Sequence, residues 1–414
     1  MTRANGRVTF LDVLSDREFA GLWAAWVLSV LGDQFARVAL SLLVFDRTGS
    51  PALTAATYAV TFIPDLVGGP LLAGLADRFP RRRVMVVTDL ARAVLVAVMA
   101  ISGMPIVLLL VLLFGVQLLA SPFTAARGAM TAAILEGPKF SLGVGLMQTT
   151  YQVGLVAGFP LGAIVVTAVG TSGALLVDAA TFLVSALLLS VFVVERQPDD
   201  APDGKSRRTW ASVREGIGLL RGSPKHKALL ALACLSGFYV APEGLVVPLA
   251  DQLGSSDIAV GLLLAANPLG TALGMIVLSR FVPDDATRAR WLGPLAIASC
   301  AILLPMVFVP GLAISLTLFF LVGVFSAHDM TTNVEYVRAT PDHQRGQLIG
   351  LAQAALRGAQ GVGVLLTGVL AQFLDTARVI ALAAAVGVVG AVVAARAWRR
   401  ASATPPPAAQ PDDH

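Results

Sequence analysis

Apolar runs of about twenty residues recur along the whole chain, each closed by a short polar turn. A helix of about 20 residues crosses the hydrocarbon core of a bilayer. The pattern predicts twelve spans, over residues 19–45, 51–76, 84–103, 105–130, 142–168, 171–194, 228–250, 257–281, 291–309, 311–335, 346–373 and 376–397. The tight turns at 103–105, 168–171 and 309–311 rest on Gly, Pro and Ser punctuation. One sizeable polar stretch, from Glu195 to Lys227, divides the spans six and six, and it contains Pro198, Pro202, Asp199, Asp200 and Asp203. It is shorter than the roughly 50 residues at which independent domains begin. The expectation is an all-α integral membrane protein of two pseudo-symmetric six-helix bundles. An N-terminal bundle would occupy 1–195, a cytoplasmic linker 196–227 and a C-terminal bundle 228–400. A disordered cytoplasmic tail would follow at 401–414, where Pro405-Pro406-Pro407 lies.

A weak internal repeat agrees with two halves. A shift of 205 residues lays Asp46, Gly49-Ser50 and Gln148 on Asp251, Gly254-Ser255 and Gln353. A shift of 202 lays Asp77-Arg78-Phe79 on Ser279-Arg280-Phe281.

Composition narrows the class. The chain is 56% hydrophobic and 14% charged, against about 25% charged in soluble domains. The net charge of +4 does not point to nucleic acid, because the basic residues sit in turns and form no single basic face. With both termini cytoplasmic, the outer loops keep only Arg47 and Arg378. Arg81, Arg82, Arg83, Arg207, Arg208, Arg288, Arg290, Arg399 and Arg400 fall on the cytoplasmic side. That asymmetry is what the positive-inside rule describes. Cys234 and Cys300 lie within apolar runs and read as small hydrophobes. The sequence has no phosphate loop, metal-ligand spacing or nucleophile–base motif, so a non-enzyme without metal or cofactor is expected.

The densest motif is Ala73-Gly74-Leu75-Ala76-Asp77-Arg78-Phe79-Pro80-Arg81-Arg82-Arg83, between the second and third spans. It resembles the loop signature of major facilitator superfamily transporters, with Ala73 in place of the first glycine and Pro80 in place of the second. Other runs are similar to the drug- and siderophore-exporter branch: Leu31-Gly32-Asp33, Asp46-Arg47-Thr48-Gly49-Ser50, Pro122-Phe123-Thr124-Ala125-Ala126-Arg127 and Asp178-Ala179-Ala180-Thr181-Phe182. Gly145, Gly154, Gly158, Pro160 and Gly162 resemble the fifth-helix pattern of family antiporters, and they equally suit plain helix packing. The resemblance implies a monomeric transporter in a bacterial plasma membrane, with a small molecule, protons and lipid as partners. It also implies a cytoplasmic gate at Gly74, Asp77, Arg78, Arg81 and Arg82, with Asp77 against the helix starting near Arg345.

Ionisable residues inside spans are costly and mark candidate sites. Asp33 has Arg37 at i+4, which reads either as a locking ion pair or as a cavity-facing pair that responds to protons. Asp65, after Pro64, has no basic neighbour at helical spacing in its own span; it reads either as the partner of a cation such as Arg357 on a neighbouring helix or as a protonatable group, and it is the expected proton carrier. Glu243 follows Pro242, and His328 adjoins Asp329. Neighbours on a helix point about 100° apart, so a His–Asp relay and ordinary hydrogen bonding both stand. Gln353, Arg357 and Gln360 form a polar stripe, matched by Gln148 and Gln152, and Tyr151 joins the aromatic candidates for a substrate cavity. The leading expectation is proton-coupled export of small amphipathic molecules by alternating access. An uptake permease and a transport-inactive membrane sensor are the alternatives.

Overall fold

The structure, a computed structural model, describes residues 9–62, 75–196, 222–282, 284–341 and 344–403, with positions 72, 218 and 220 between them. Long helices dominate: α1 Arg17–Thr48, α2 Pro51–Ala59, α3 Arg81–Met99, α4 Ile106–Ile134, α5 138–169 and α6 171–192. They continue as α7 Pro224–Gln252, α8 Asp257–Phe281, α9 Asp285–Phe308, α10 Leu312–Ala339, α11 Arg345–Leu370 and α12 Thr376–Ala403. Among the described residues nine segments are long and apolar enough to cross a membrane, with α5 and α6 counted as one. The nine omit α3, whose 19 residues carry Arg81, Arg82, Arg83, Asp89 and Arg92, and α2, described only as far as its first turns.

Local chemistry sets the helix ends. The Asp16 carboxylate accepts from the Glu18 and Phe19 amides at 2.9 and 3.1 Å, capping α1. Gly49 ends that helix at φ 57, which a glycine adopts without strain. Ser50 then caps α2 ahead of Pro51. Gly170, at φ 75, separates α5 from α6 where the sequence predicts a turn.

Several expected boundaries move. Ser223 caps a helix that starts at Pro224, so residues 224–227 belong to α7 and not to a linker. Asp284 caps α9 six residues ahead of the expected 291. The last helix runs to Ala403, three residues past the expected start of a tail. Most of the expected linker, 197–217, and of the tail, 404–414, lies outside the described residues.

Among the described residues three helices are broken, α9 by a turn at Ile302 before a 3-10 stretch, Leu304–Phe308. α7 turns at Leu235 and passes through a 3-10 stretch, Ala241–Leu245, around Pro242. α10 turns at Ala327, between Ser326 and His328.

α1 lies along the α5–α6 pair, which also packs on α3, while α8 packs on α10 and α9 on α12. These two groups meet through α2 on α11 and α5 on α8. Their junction gathers at one end. There the Gln372 amide donates to the Ser50 hydroxyl, and Gly368 lies against Ala52 and Ala55. A Cβ on Gly261 of α8 would sit 2.9 Å from Pro160 Cα of α5. At the opposite end Val144 and Gln148 of α5 and Ile276 and Val277 of α8 are exposed. The molecule is closed at the end of Ser50 and Gln372.

Candidate functional site

Four charged side chains meet where α1, α3 and α6 cross. Arg92 of α3 is 2% exposed and donates from Nη2 to Asp33 Oδ1 of α1 at 2.8 Å. Asp89, one turn earlier on α3 and fully buried, lies 3.8 Å from Arg92 Nη1 and accepts from Ser185 Oγ of α6 at 2.6 Å. Asp178, 1% exposed, shares this electrostatic neighbourhood, with its Oδ1 3.3 Å from Thr181 Oγ1. The Arg92 guanidinium also rests 4.0 Å over the Phe182 ring. Gly32 makes room, because a Cβ there would strike Asp178 and Thr181. Three carboxylates thus share one guanidinium, and Asp33 alone, at 22% exposure, reaches toward solvent.

This arrangement corrects the expected Asp33–Arg37 pair. Asp33 takes Arg92 from another helix. Arg37 instead lies among Tyr151, Tyr58, Asp33 and Glu243, and lines a small cavity between α1, α2 and α4 with Ser41, Thr57, Tyr58 and Thr61. Sequence reading passed over Asp89 and Arg92. Their signal was present: two ionisable residues at i and i+3 within a predicted span, the criterion that selected Asp33.

The second cluster joins the two groups of helices. The Tyr58 hydroxyl of α2 donates to Glu243 Oε2 of α7 at 2.5 Å, and Asn267 Nδ2 of α8 donates to Oε1 at 3.2 Å. Arg37 and Arg357 lie within electrostatic reach of that carboxylate. Arg357 of α11 also faces the Phe62 ring at 5.8 Å. Glu243 owes its position to the break at Pro242, which turns the chain out of α-helical register. Tyr58 and Asn267, unremarked in the sequence, complete the site.

A third group lies in the C-terminal helices. The Tyr239 hydroxyl donates to Asp329 Oδ2 at 2.5 Å, and His328 Nε2 stands 3.5 Å from Asp329 Oδ1. The turn at Ala327 brings these neighbours together despite their angular separation on a regular helix. His328 is fully buried, and its Nδ1 lies 3.0 Å from the Phe325 carbonyl.

Farther from the closed end, Trp26 of α1 stacks with Phe123 of α4 and Tyr151 of α5, both at 6.5 Å. Arg127 of α4 sits 3.5 Å over the Trp26 ring. Gly154, Gly158 and Gly162 form a row that seats α5 on Val30, Gln34 and Phe35 of α1, whereas Gly145 faces open space.

The remaining sequence candidates are dispersed. Gln148 and Gln353 are exposed, Gln152 is half-buried, and Gln360 is buried with its Oε1 unpaired among the described residues. Asp65 and Gly74 lie outside the described residues, as does the side chain of Asp77, whose backbone is in the one-turn helix Leu75–Arg78. Arg78 is exposed and Arg81 half-buried. Arg82 donates to the Ser190 carbonyl of α6, and Arg83 pairs with Glu195 at 2.9 Å. Arg345 begins α11.

Two groups of long helices that meet at one end, with buried charged side chains inside them, have the build of a membrane transporter. The family model "Major Facilitator Superfamily" matches residues 22–328 and, separately, 229–413, and the chain belongs to that superfamily. Among curated proteins, the multidrug efflux pump Tap of Mycolicibacterium fortuitum is 27% identical over 363 residues, 82% of this chain and 86% of Tap. Macrolide efflux protein A of Streptococcus pyogenes is 20% identical over 270 residues, covering 64% of this chain and 66% of that protein. The fold also matches a bacterial homolog of the human lysosomal transporter Spinster, solved inward-facing and unoccupied. That match has TM-score 0.69 at 15% identity, over 93% of this chain and 96% of the other. The nucleoside transporter NupG gives TM-score 0.74 at 12% identity, over 93% and 99%.

Proposed function

We propose that this protein exports small amphipathic organic molecules across a bacterial cytoplasmic membrane by proton antiport. Both termini face the cytoplasm, so the closed end is the outer one. Substrate enters from the cytoplasmic end and leaves after the halves rock against each other. The names of the relatives support efflux, and the clustering of arginine at the end away from the junction supports the orientation.

The observation that carries proton coupling is the cluster of Asp33, Asp89 and Asp178 around Arg92. Like charges at low dielectric cannot all ionise around one cation. The cluster therefore retains a proton, and Asp33 connects it to solvent. Glu243 and the His328–Asp329 pair are the C-terminal counterparts, and Asp65 is the alternative carrier in the N-terminal half. Asp77 serves the cytoplasmic gate with Arg345, closing it in the outward-facing state through the start of α11.

The test is efflux from a pump-deficient bacterial host and from liposomes. A pH gradient alone should drive export, and a protonophore should abolish it. Asp33→Asn should lose gradient-driven export and keep substrate binding. Export that needs ATP or sodium, or survives gradient collapse, removes the antiport assignment. Normal export by Asp33→Asn, with loss in Asp65→Asn, moves the proton to Asp65. Asp77→Asn should insert normally and transport poorly.

A further inference from the structure

Arg127 stands apart from the other cations of the central region. Its guanidinium lies over the Trp26 ring at 3.5 Å, with Nη1 buried and unpaired. Among the described residues no carboxylate forms an ion pair or hydrogen bond with it. Trp26 Nε1, in the same stack, is also buried without an acceptor. Two donors therefore converge where no acceptor is supplied, and one is a full positive charge. A half-buried cation with a buried, unpaired N–H and no counter-ion is unfavourable and marks a candidate functional position within a spanning helix.

The carboxylates nearby are engaged differently. Asp33 is held by Arg92, Glu243 by Tyr58 and Asn267, and Asp329 by Tyr239. These carboxylates are engaged within the protein, whereas the Arg127 charge is not. Trp26 and Arg37 lie eleven residues apart on α1, close to three helical turns, and so share one face of that helix. A guanidinium presents N–H groups in a planar fork that suits a carboxylate. The Trp26–Tyr151 stack, with rings 15° from parallel, suits a flat apolar body.

We infer that Arg127, Trp26 and Tyr151 form a vestibule site for aromatic organic acids, so that the preferred substrates are amphipathic anions and not lipophilic cations. This deepens the export reading and rests on it for the direction of movement. Binding of the acid needs no gradient. The carboxylate takes the open fork of Arg127 and the Trp26 N–H, and the ring lies against the Tyr151 side of the stack.

The test uses full-length protein in nanodiscs, with empty nanodiscs subtracted, and a matched pair of probes. These are naphthalene-1-acetate and its neutral amide, with naphthalene-1-methylammonium as the cationic control. Wild-type protein should bind the acid about ten-fold more tightly than the amide, the effect of one charge-assisted contact. Arg127→Gln should erase that preference by weakening the acid alone, and Arg127→Lys should restore part of it. Amide binding by Arg127→Gln verifies its fold. No acid binding by the wild type, no preference over the amide or the cation, or equal loss of both probes in Arg127→Gln overturns the assignment. Acid-selective binding without export of any probe defeats the export reading and leaves this site standing. Export without charge selectivity does the reverse.

Discussion

Arg92 shows how much a single side chain can hold. Removing one partner of a buried ion pair costs about 3–5 kcal/mol, because the remaining charge stays uncompensated. Arg92→Leu leaves Asp33, Asp89 and Asp178 without their guanidinium, so the purified variant should melt well below wild type. Asp33→Asn/Arg92→Gln should recover part of the loss, because the new amides hydrogen-bond without charge. Thermal melts in one detergent decide it, and equal melting of Arg92→Leu and wild type would mean that the cluster carries no stability. Asp33 was legible as a charge inside an apolar run. Its partner was not, since a single helix offers only its own i+4 neighbour, Arg37, and the approach of α3 is set by packing. The functional surroundings of Glu243 were hidden for the same reason: Tyr58 and Asn267 are unremarkable until α2, α7 and α8 are brought together.

At the scale of elements, hydrophobic periodicity located the helices well where the boundary residue had a conformational reason. Gly170 and the Gly49–Ser50–Pro51 turn are cases where sequence expectation and structure agree. The break at Ala327 was invisible, because Ser326-Ala327-His328 contains neither glycine nor proline. The fifth helix offers a direct test of its glycine row. A Cβ at Gly162 would stand 3.1 Å from Phe35 Cα, a backbone atom with little freedom to move. Gly162→Val should therefore lower stability by about 1–3 kcal/mol, the usual cost of overpacking. It should also reduce transport. Gly145→Val, with nothing within 4 Å of its Cβ position, should leave melting unchanged. Paired melts and uptake into inverted vesicles give the comparison, and equal sensitivity at both positions would refute close packing as the role of the row.

Across the whole molecule, the closed end joins Ser50 to Gln372 and Gly368 to Ala52 and Ala55. With Cys234 and Cys300 replaced by alanine, Ser50→Cys/Gln372→Cys should cross-link under oxidant. The linked protein should stop transporting, and reductant should restore it. Continued transport by fully linked protein would show that this junction does not open. The two-group arrangement was foreshadowed by the polar stretch after Glu195 and by the weak repeat. Which end is closed was not, because hydrophobic patterning places helices along the chain and does not set how the two groups tilt against each other.

The closed junction is made largely of backbone-close contacts at small residues, as at Gly261 against Phe159 and Pro160. Attraction of that kind is short-ranged: a gap of about 0.5–1 Å already forfeits a quarter to a half of it. A partly parted junction would lose most of its cohesion before gaining anything from the opposite state. The motion should therefore behave as a toggle with long dwells and brief crossings. Dyes attached near Ser50 and Gln372 should report two discrete separations in single-molecule traces, and substrate or pH should change the time spent at each while leaving the separations themselves fixed.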